Sequence, residues 1–467
     1  MTEEVLRFLA DLAASTGTTA YVVGGFVRDK LLGREPIDLD LLLEGNPRDF
    51  LAGLVARTGG KPAVVPREHP ATYRTALLGW LIDISACGPG QLGGEMARRD
   101  FTINAMAVPL RPGGLSWDQP IDPVGGMTDL MRRRIRHVSP RGLDSDPLRL
   151  LRAVRLATLL DDFTLDAGLA DAIRRGAANI VTAAAERIAG ELGLILSSPR
   201  AGAGLRMMKD LGLLFPIFPA LRPLAGLQQN RWHSHDVLEH TLCAVEAADL
   251  LHAGDAASGA PPPADDDAVE ALKWSVLLHD TGKAATARTD QNGEVHFHGH
   301  EWVSAEITRR ALTDLRLSRA RTHRIARLVQ NHLRLPLLAQ GGDVSAKAIR
   351  RLVHQMEHDT PLLCLLALSD RRSAGGQDDA SRTRRLDDLV GKVMHVLAVE
   401  GDRLIAPTPL VTGHDVMHIL AIGPGPRVGS VLRWLTRLQV DRRISSRDEA
   451  IALMRSLPPP QAPPGRD

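Results

Sequence analysis

"GGFVRDKLLGREPIDLDLLL", residues 24–43, joins a glycine pair to a short basic helix and then to an apolar run carrying two carboxylates. The run Ile37–Leu43 reads as a strand, in which side chains two apart face the same side. Asp38 and Asp40 therefore converge while Leu39 faces the opposite layer. Two such carboxylates repel each other and raise each other's proton affinity unless a cation lies between them, and hard oxygen donors with open positions suit Mg²⁺. Gly24 and Gly25 permit a tight turn and let backbone N–H groups approach a ligand at the start of the following helix, the arrangement that cradles a triphosphate. Arg28, one turn into that helix, offers a forked donor to phosphate oxygens, and Asp29 is expected to pair with Arg28 or cap backbone amides.

Outward from this stretch, residues 20–110 hold further β-rich runs, "AYVVGG", "TALLGWLIDIS" and "INAMAVPL", broken by turn residues. They predict a small sheet-containing domain. From about residue 145 strand signals fade, and apolar residues recur every three or four positions, as in "DPLRLLRAVRLATLL" and "AERIAGELGLIL", so the remainder is expected to be helical. The fold class is α+β, with a head over residues 1–140, a helical neck over 141–228, a second domain over 229–390 and a helical C-terminal segment over 391–467. Residues 253–268 read as a low-complexity surface loop, 371–384 as a seam and 457–467 as a frayed tail.

The 467 residues are 44% hydrophobic and 24% charged, and no apolar run approaches the roughly 20 residues that span a bilayer. The N-terminus lacks the basic start and small-residue cleavage site of a signal peptide, so the cytoplasm is the expected location. Cys87, Cys243 and Cys364 are too dispersed for a disulfide framework or a cysteine-rich zinc site, which leaves His and Asp to hold any metal. The overall charge of +2 conceals a basic concentration: residues 131–155 carry eight Arg against Asp144 and Asp146, 8 − 2 = +6, which suits a nucleotide or nucleic-acid partner.

"VVGGFVRDKLLG" and "IDLDLLL", followed by "RRDFTINAMAV" and "IDPVGGMTDLMRRRIRHV", resemble the class II tRNA nucleotidyltransferase and bacterial poly(A) polymerase family. The resemblance implies a polymerase-beta-like head in which Asp38 and Asp40 hold two Mg²⁺ ions that activate an RNA 3′-hydroxyl and stabilise departing pyrophosphate. Asp83 is a candidate third carboxylate. Arg99 would touch phosphate, with Asp100 and Asn104 ordering the ribose region. Asp122, Gly125, Gly126 and Asp129 are expected to be structural. In "SDPLRLLRAVR" Asp146 can cap a helix that Pro147 opens, and Arg149, Arg152 and Arg155 form a basic stripe. By the same resemblance Asp146 and Arg149 would pair with the Watson–Crick edge of incoming CTP or ATP, with Arg152 and Arg155 as further nucleotide contacts. The family pattern Glu-Asp-x-x-Arg is broken at Ser145, which leaves Arg149 without its usual brace. The path from Asp83 to Arg99 is short, a hint of CC-adding rather than CCA-adding activity; poly(A) polymerase is the alternative within the class. The tRNA acceptor arm, CTP and ATP are the expected partners, with no membrane.

In the helical half, His240, His279, Asp280, His300, His332 and Asp370 each interrupt or end an apolar helical run. Buried ionisable groups need partners, and this mixed N/O set suits one or two divalent metals. It resembles an HD phosphohydrolase domain, with Lys283 as a candidate phosphate ligand. His233, His235, His296 and His298 have no assigned role. Such a centre activates water against a phosphate ester, so a chiefly hydrolytic protein whose head merely binds nucleotide is a further alternative. "GPGPRVG" (423–429) opens a helix whose amides, with Arg427, could meet an RNA phosphate; His414 and Asp415 read as helix capping.

Overall fold

A computed structural model describes residues 2–60, 62–65, 72–118, 120–229, 235–254, 259–342, 344–374 and 379–456. His233 and the segment 457–467 lie outside them. The chain divides into two compact units, residues 1–195 with 204–219, and residues 196–203 with 220–467.

The first unit is built on one mixed sheet. Helix α1 (Thr2–Ser15) leads into β1 (Thr19–Val23), α2 (Gly25–Leu31), β2 (Leu39–Glu44), α3 (Arg48–Thr58), β3 (Ala63–Val65), β4 (Thr72–Leu77), β5 (Trp80–Cys87), β6 (Ala107–Arg111) and β7 (Gly114–Leu115). The strand order is β3-β4-β5-β2-β1-β6-β7, with β2 and β5 parallel and every other neighbouring pair antiparallel. Strand β2 lies centrally and is covered on both faces, which is why Leu39, Leu41, Leu42 and Leu43 are all buried rather than alternating. Asp40 is the polar interruption in that run. Two expectations are corrected here. Strand β2 begins at Leu39, so exposed Asp38 flanks the strand instead of lying inside it. "TALLGWLIDIS" is also two strands: Leu78 and Gly79, at φ 49° and 82°, turn the chain back on itself, a two-residue hairpin that a positive-φ glycine permits.

After the sheet come α4 (Leu148–Leu159) and α5 (Ala185–Ser197), joined by an Arg155–Glu191 ion pair, with Arg152 of α4 reaching Asp100 of the head. Strands do not vanish after residue 145: Thr164–Leu165 pairs with Arg134–Ile135, and Arg288–Thr289 with Val295–His296, each only two residues long.

In the second unit the longer helices are α6 (Val237–His252), α7 (Asp266–Leu278), α8 (His300–Asp314), α9 (Arg319–Asn331), α10 (Ala346–Met356), α11 (Thr360–Ser373) and α12 (Asp379–Ile405). Helix α6 packs on α7 and α11, α8 on α9, and α7 on α9. The last three, α13 (Gly413–Leu420), α14 (Pro426–Val440) and α15 (Arg447–Arg455), share a core of Val411, Val416, Leu435, Ile444, Ala450 and Met454. Arg351 on α10 grips Asp441 with Nε and Nη2, at 2.7 and 2.6 Å. Asp415 closes a capping box with Thr412, the role read for it in the sequence. Among the described residues no helix is long and apolar enough to cross a membrane.

Candidate active site and metal centre

The head site grows from the turn after β1. Gly24 has φ +77°, and a Cβ placed there would overlap the Asp40 carboxylate and lie 2.7 Å from Arg99 Nη1. The glycine is thus needed twice, for the backbone angle and for the space. Arg99 Nη1 stands 3.6 Å from Asp40 Oδ2. Burial raises the Asp40 pKa above the ordinary carboxylate value, Asp38 and Asp83 push it further, and Arg99 opposes them. In the parallel register Asp83 is directly beside Asp40, but its carboxylate is gripped by Arg74 at 2.7 and 2.6 Å. Asp38, Asp40 and Asp83 thus concentrate negative charge at the rim of the sheet beside the glycine turn. Gly24→Ala is expected to cut nucleotide incorporation by at least about 10²-fold, because both groups it would displace are read as site residues. Single-turnover incorporation beside a melting curve checks this; full activity in a folded variant would show that the cradle is not used.

Beyond the turn, one polar chain crosses the head. Arg28 places Nε and Nη2 on Asp29 at 2.8 Å each, and Nη1 on Asn104 Oδ1 at 2.8 Å. Asn104 in turn donates to Asp100 at 3.2 Å, and Arg152 approaches the other Asp100 oxygen at 3.2 Å. Asp100 is buried, which alone would raise its pKa, yet Arg152, Asn104 and the Phe101 amide hold it below the ordinary value. Arg152 and Arg155 then share Glu191 of α5, at 3.7 and 2.7 Å. Asp122 accepts the Gly126 and Met127 amides at 2.7 and 2.9 Å. Buried Asp129 receives Thr102, Arg134 and Arg136, so it holds the connector after the sheet together.

Asp146 does not form the helix cap itself; Pro147 occupies that position, and Asp146 Oδ1 accepts the Leu148 N–H at 3.3 Å. Its main partner is Arg187, a residue that sequence reasoning passed over, as it did Glu191. Both lie in "AERIAGELGLIL", four positions apart and hence on one face of α5, a spacing visible in the sequence although their partners are not.

The helical body brings its six predicted residues together. Among the described residues two clusters of three ligand-type side chains, His240, His279 and Asp370, and Asp280, His300 and His332, each hold their donor atoms within 4.8 Å of one another. Asp280 stands between them: Oδ2 lies 3.2 Å from His279 Nε2 and 3.6 Å from His240 Nε2, while Oδ1 lies 3.2 Å from His300 Nε2 and 3.9 Å from His332 Nε2. Three of the imidazoles are anchored identically. Nδ1 of His279, His300 and His332 each lies 2.7 Å from the carbonyl of Val276, Phe297 or Val329, three residues earlier. A carbonyl only accepts, so Nδ1 carries a proton and Nε2 points inward, where a bound cation would take its lone pair in place of a proton. His240 Nδ1 meets Ser373 Oγ at 3.0 Å and its Nε2 meets Asp370 at 2.9 Å.

Charge in this cluster is strongly polarised. Burial would lower the His279 pKa, but Asp280 and Asp370 push it up to about 10. His332, buried and beside His279 and His300, is pushed down to about 3. Asp280 and Asp370 are held well below the ordinary value: burial opposes this, and the histidines, with Lys283 on Asp280, outweigh it. Buried His279 Nε2 makes no well-formed hydrogen bond, and Asp280 Oδ2 is met only by the Lys283 ammonium and imidazole edges, a donor set that fits a divalent cation. Lys283 Nζ is 2.6 Å from Asp280, 2.7 Å from Gln229 Oε1 and 5.5 Å from the Phe297 ring centre. His296 pairs with Asp290 at 3.0 Å and stacks on His298, and neither belongs to the ligand clusters; His235 is exposed.

A mixed sheet with acids beside a glycine turn, followed by a helical body with a six-membered His/Asp cluster, defines a nucleotidyltransferase head joined to an HD-type domain. The family model described as the poly A polymerase head domain matches residues 20–75 and 85–136, the HD domain matches 237–375, and the probable RNA and SrmB-binding site of polymerase A matches 162–224. An A-adding tRNA nucleotidyltransferase of Deinococcus radiodurans is 37% identical over 442 residues, covering 93% of this chain and 94% of its own. A CC-adding tRNA nucleotidyltransferase of Thermus thermophilus is 33% identical, covering 95% of each. The Bacillus stearothermophilus CCA-adding enzyme solved with CTP shares the fold, with a TM-score of 0.62 at 20% identity, over 97% of this chain and 96% of that one. The chain belongs to the tRNA nucleotidyltransferase family.

Proposed function

We propose that this protein adds nucleotides, without a nucleic-acid template, to the 3′ end of tRNA, drawing on CTP or ATP in the cytoplasm. The observation that carries the reading is full-length similarity to two tRNA nucleotidyltransferases, supported by the Gly24–Asp40–Arg99 juxtaposition in the head. Asp38 and Asp40 supply the hard oxygen donors for Mg²⁺, and their charge, offset by one guanidinium at 3.6 Å, fits a cation. When bound, the metal supplies Lewis-acid activation of the RNA 3′-hydroxyl and charge stabilisation on the leaving pyrophosphate. The chain's own residues do the positioning. Gly24 and Gly25 bring backbone amides to the triphosphate, Arg99 and Arg28 neutralise phosphate charge, and Asp100 and Asn104 order the ribose side. Asp146 and Arg149 select the base, with Arg152 and Arg155 behind them. The HD domain is proposed to hydrolyse phosphate esters at its His/Asp centre, with Lys283 near the scissile phosphate.

Only four residues separate the end of β5 at Cys87 from the helix Leu92–Ala97 that delivers Arg99, which favours CC addition. The second reading, A addition, is favoured by the Deinococcus relative. The test supplies Mg²⁺ with CTP and ATP, singly and together, to tRNA transcripts lacking all three, the last two or only the last nucleotide of C-C-A. Growth by two C residues and no further is the expected result. ATP use on the transcript lacking only the final A would mark full CCA addition if C residues are also added to the shorter transcripts and the second reading if they are not, and long A-tails would point to poly(A) polymerase.

A further inference from the structure

The two groups read as base-selecting are held by separate supports. Asp146 has both oxygens occupied by one guanidinium: Arg187 Nη1 donates to Oδ1 at 3.2 Å and Nη2 to Oδ2 at 2.9 Å. The Arg149 backbone N–H donates to the Asp146 carbonyl at 3.0 Å, but its guanidinium reaches neither the Asp146 carboxylate nor the Ser145 hydroxyl. Its Nη2 donates to the Arg98 carbonyl at 3.0 Å, and its Nη1 would lie 2.7 Å from a Cβ at Gly142. Ser145 turns its hydroxyl to the Gly142 carbonyl at 3.0 Å, so the residue standing where the family carries Glu braces nothing in the pair.

We propose that Arg187 is the specificity-determining positioning residue of this head, acting through Asp146. A carboxylate has about four lone-pair sites, and a bidentate guanidinium takes two on one side while fixing the plane of the group. Oδ1 gives a second lone pair to the Leu148 N–H at 3.3 Å, so the lone pair left on Oδ2 is the one available to an amino donor. Cytosine and adenine both present an exocyclic amino group beside a ring acceptor; they differ in how far that edge lies from the sugar. A carboxylate therefore tells them apart by where it stands, so the group that locks it sets the choice. Asp146 and Arg187 are 27% and 52% exposed, so the pair is reachable by a nucleotide while still joined. Arg is suited to this and Lys is not, because an ammonium cannot hold both oxygens in one plane.

The inference rests on the base-selecting reading of Asp146, and the experiment separates the two. Arg187→Ala, Arg187→Lys, Asp146→Ala and the double variant Arg187→Ala/Asp146→Ala of the full chain are assayed on tRNA transcripts for kcat and KM with the favoured nucleotide and for misincorporation of the other. Arg187→Ala is expected to shift the CTP-to-ATP preference at least about fivefold, mainly through KM, as loss of a contacting charged partner does. Arg187→Lys should restore a small part of it, and the double variant should be no worse than Asp146→Ala alone. If Asp146→Ala changes the preference while neither Arg187 variant does, or if Arg187→Ala slows both nucleotides equally, the proposal falls and base selection by Asp146 stands. If Asp146→Ala leaves the preference intact, the base-selecting reading itself falls. Should Arg187→Ala fail to fold, Arg187→Lys decides by the same ratio.

Discussion

Asp40→Asn is expected to lower nucleotide incorporation by at least about 10³-fold and, at the same time, to raise the melting temperature of the metal-free protein at neutral pH. The first effect follows from the proposed role of Asp40 as a hard anionic donor to Mg²⁺, whose loss would withdraw several kcal/mol of transition-state stabilisation. The second follows from the sign of the Asp40 shift. Its carboxyl is raised in the folded state by burial and by Asp38 and Asp83, with Arg99 opposing. A carboxylate whose folded value lies above its unfolded value contributes stability below the unfolded value and loses it as pH rises through the folded one, the reverse of the usual salt-bridged Asp. At pH 7 the charge is therefore a net cost, and the neutral amide relieves it. The gap between variant and parent should narrow as pH falls towards the ordinary carboxylate value. Added Mg²⁺ should raise the melting temperature of the parent and leave that of the variant unmoved. Melting curves with chelator and with Mg²⁺, beside single-turnover incorporation, check both effects. A variant that is inactive yet less stable without metal, and still responsive to Mg²⁺, would remove Asp40 from the cation site.

Asp280→Asn should have the second largest effect, confined to the helical body. One oxygen of Asp280 faces His240 and His279 and the other faces His300 and His332, so a single amide weakens both halves of the donor set. Elemental analysis of protein dialysed against a transition metal should show up to two ions per chain in the parent and none retained by Asp280→Asn. Hydrolysis of an aryl phosphate ester should fall by at least about 100-fold. His300→Ala removes a ligand from one half alone and should leave one ion. Incorporation by the head should persist in all of these variants. Undiminished metal content in Asp280→Asn would overturn the shared-carboxylate arrangement.

Much of this was legible in the sequence because the signals are local. The glycine pair, the strand carrying Asp40 and the six His/Asp positions each announce themselves within a few residues, through turn chemistry or a polar group stranded in an apolar helix. What was illegible depends on partners far along the chain. Nothing near Asp83 shows that Arg74 will face it across a hairpin, because "TALLGWLIDIS" has the composition of one strand and only Leu78-Gly79 turns it into two. Asp146 and Arg187 are 41 positions apart, and Asp100, Arg152 and Glu191 meet only because a sheet edge and two helices converge. Asp38 was assigned to the strand because the period-two pattern extends through it; the strand starts one residue later, where pairing with the neighbouring strand begins.

The matched anchoring of His279, His300 and His332, each to the carbonyl three residues before it, ties those rings to ordinary helix termini instead of to the ion they would hold. Their orientation is inherited from the folded scaffold, so a chelator would strip this domain of its metal without unravelling it. That is the opposite of a zinc finger, whose architecture disappears with its ion. The helices that carry these rings would persist if one cation were replaced by another.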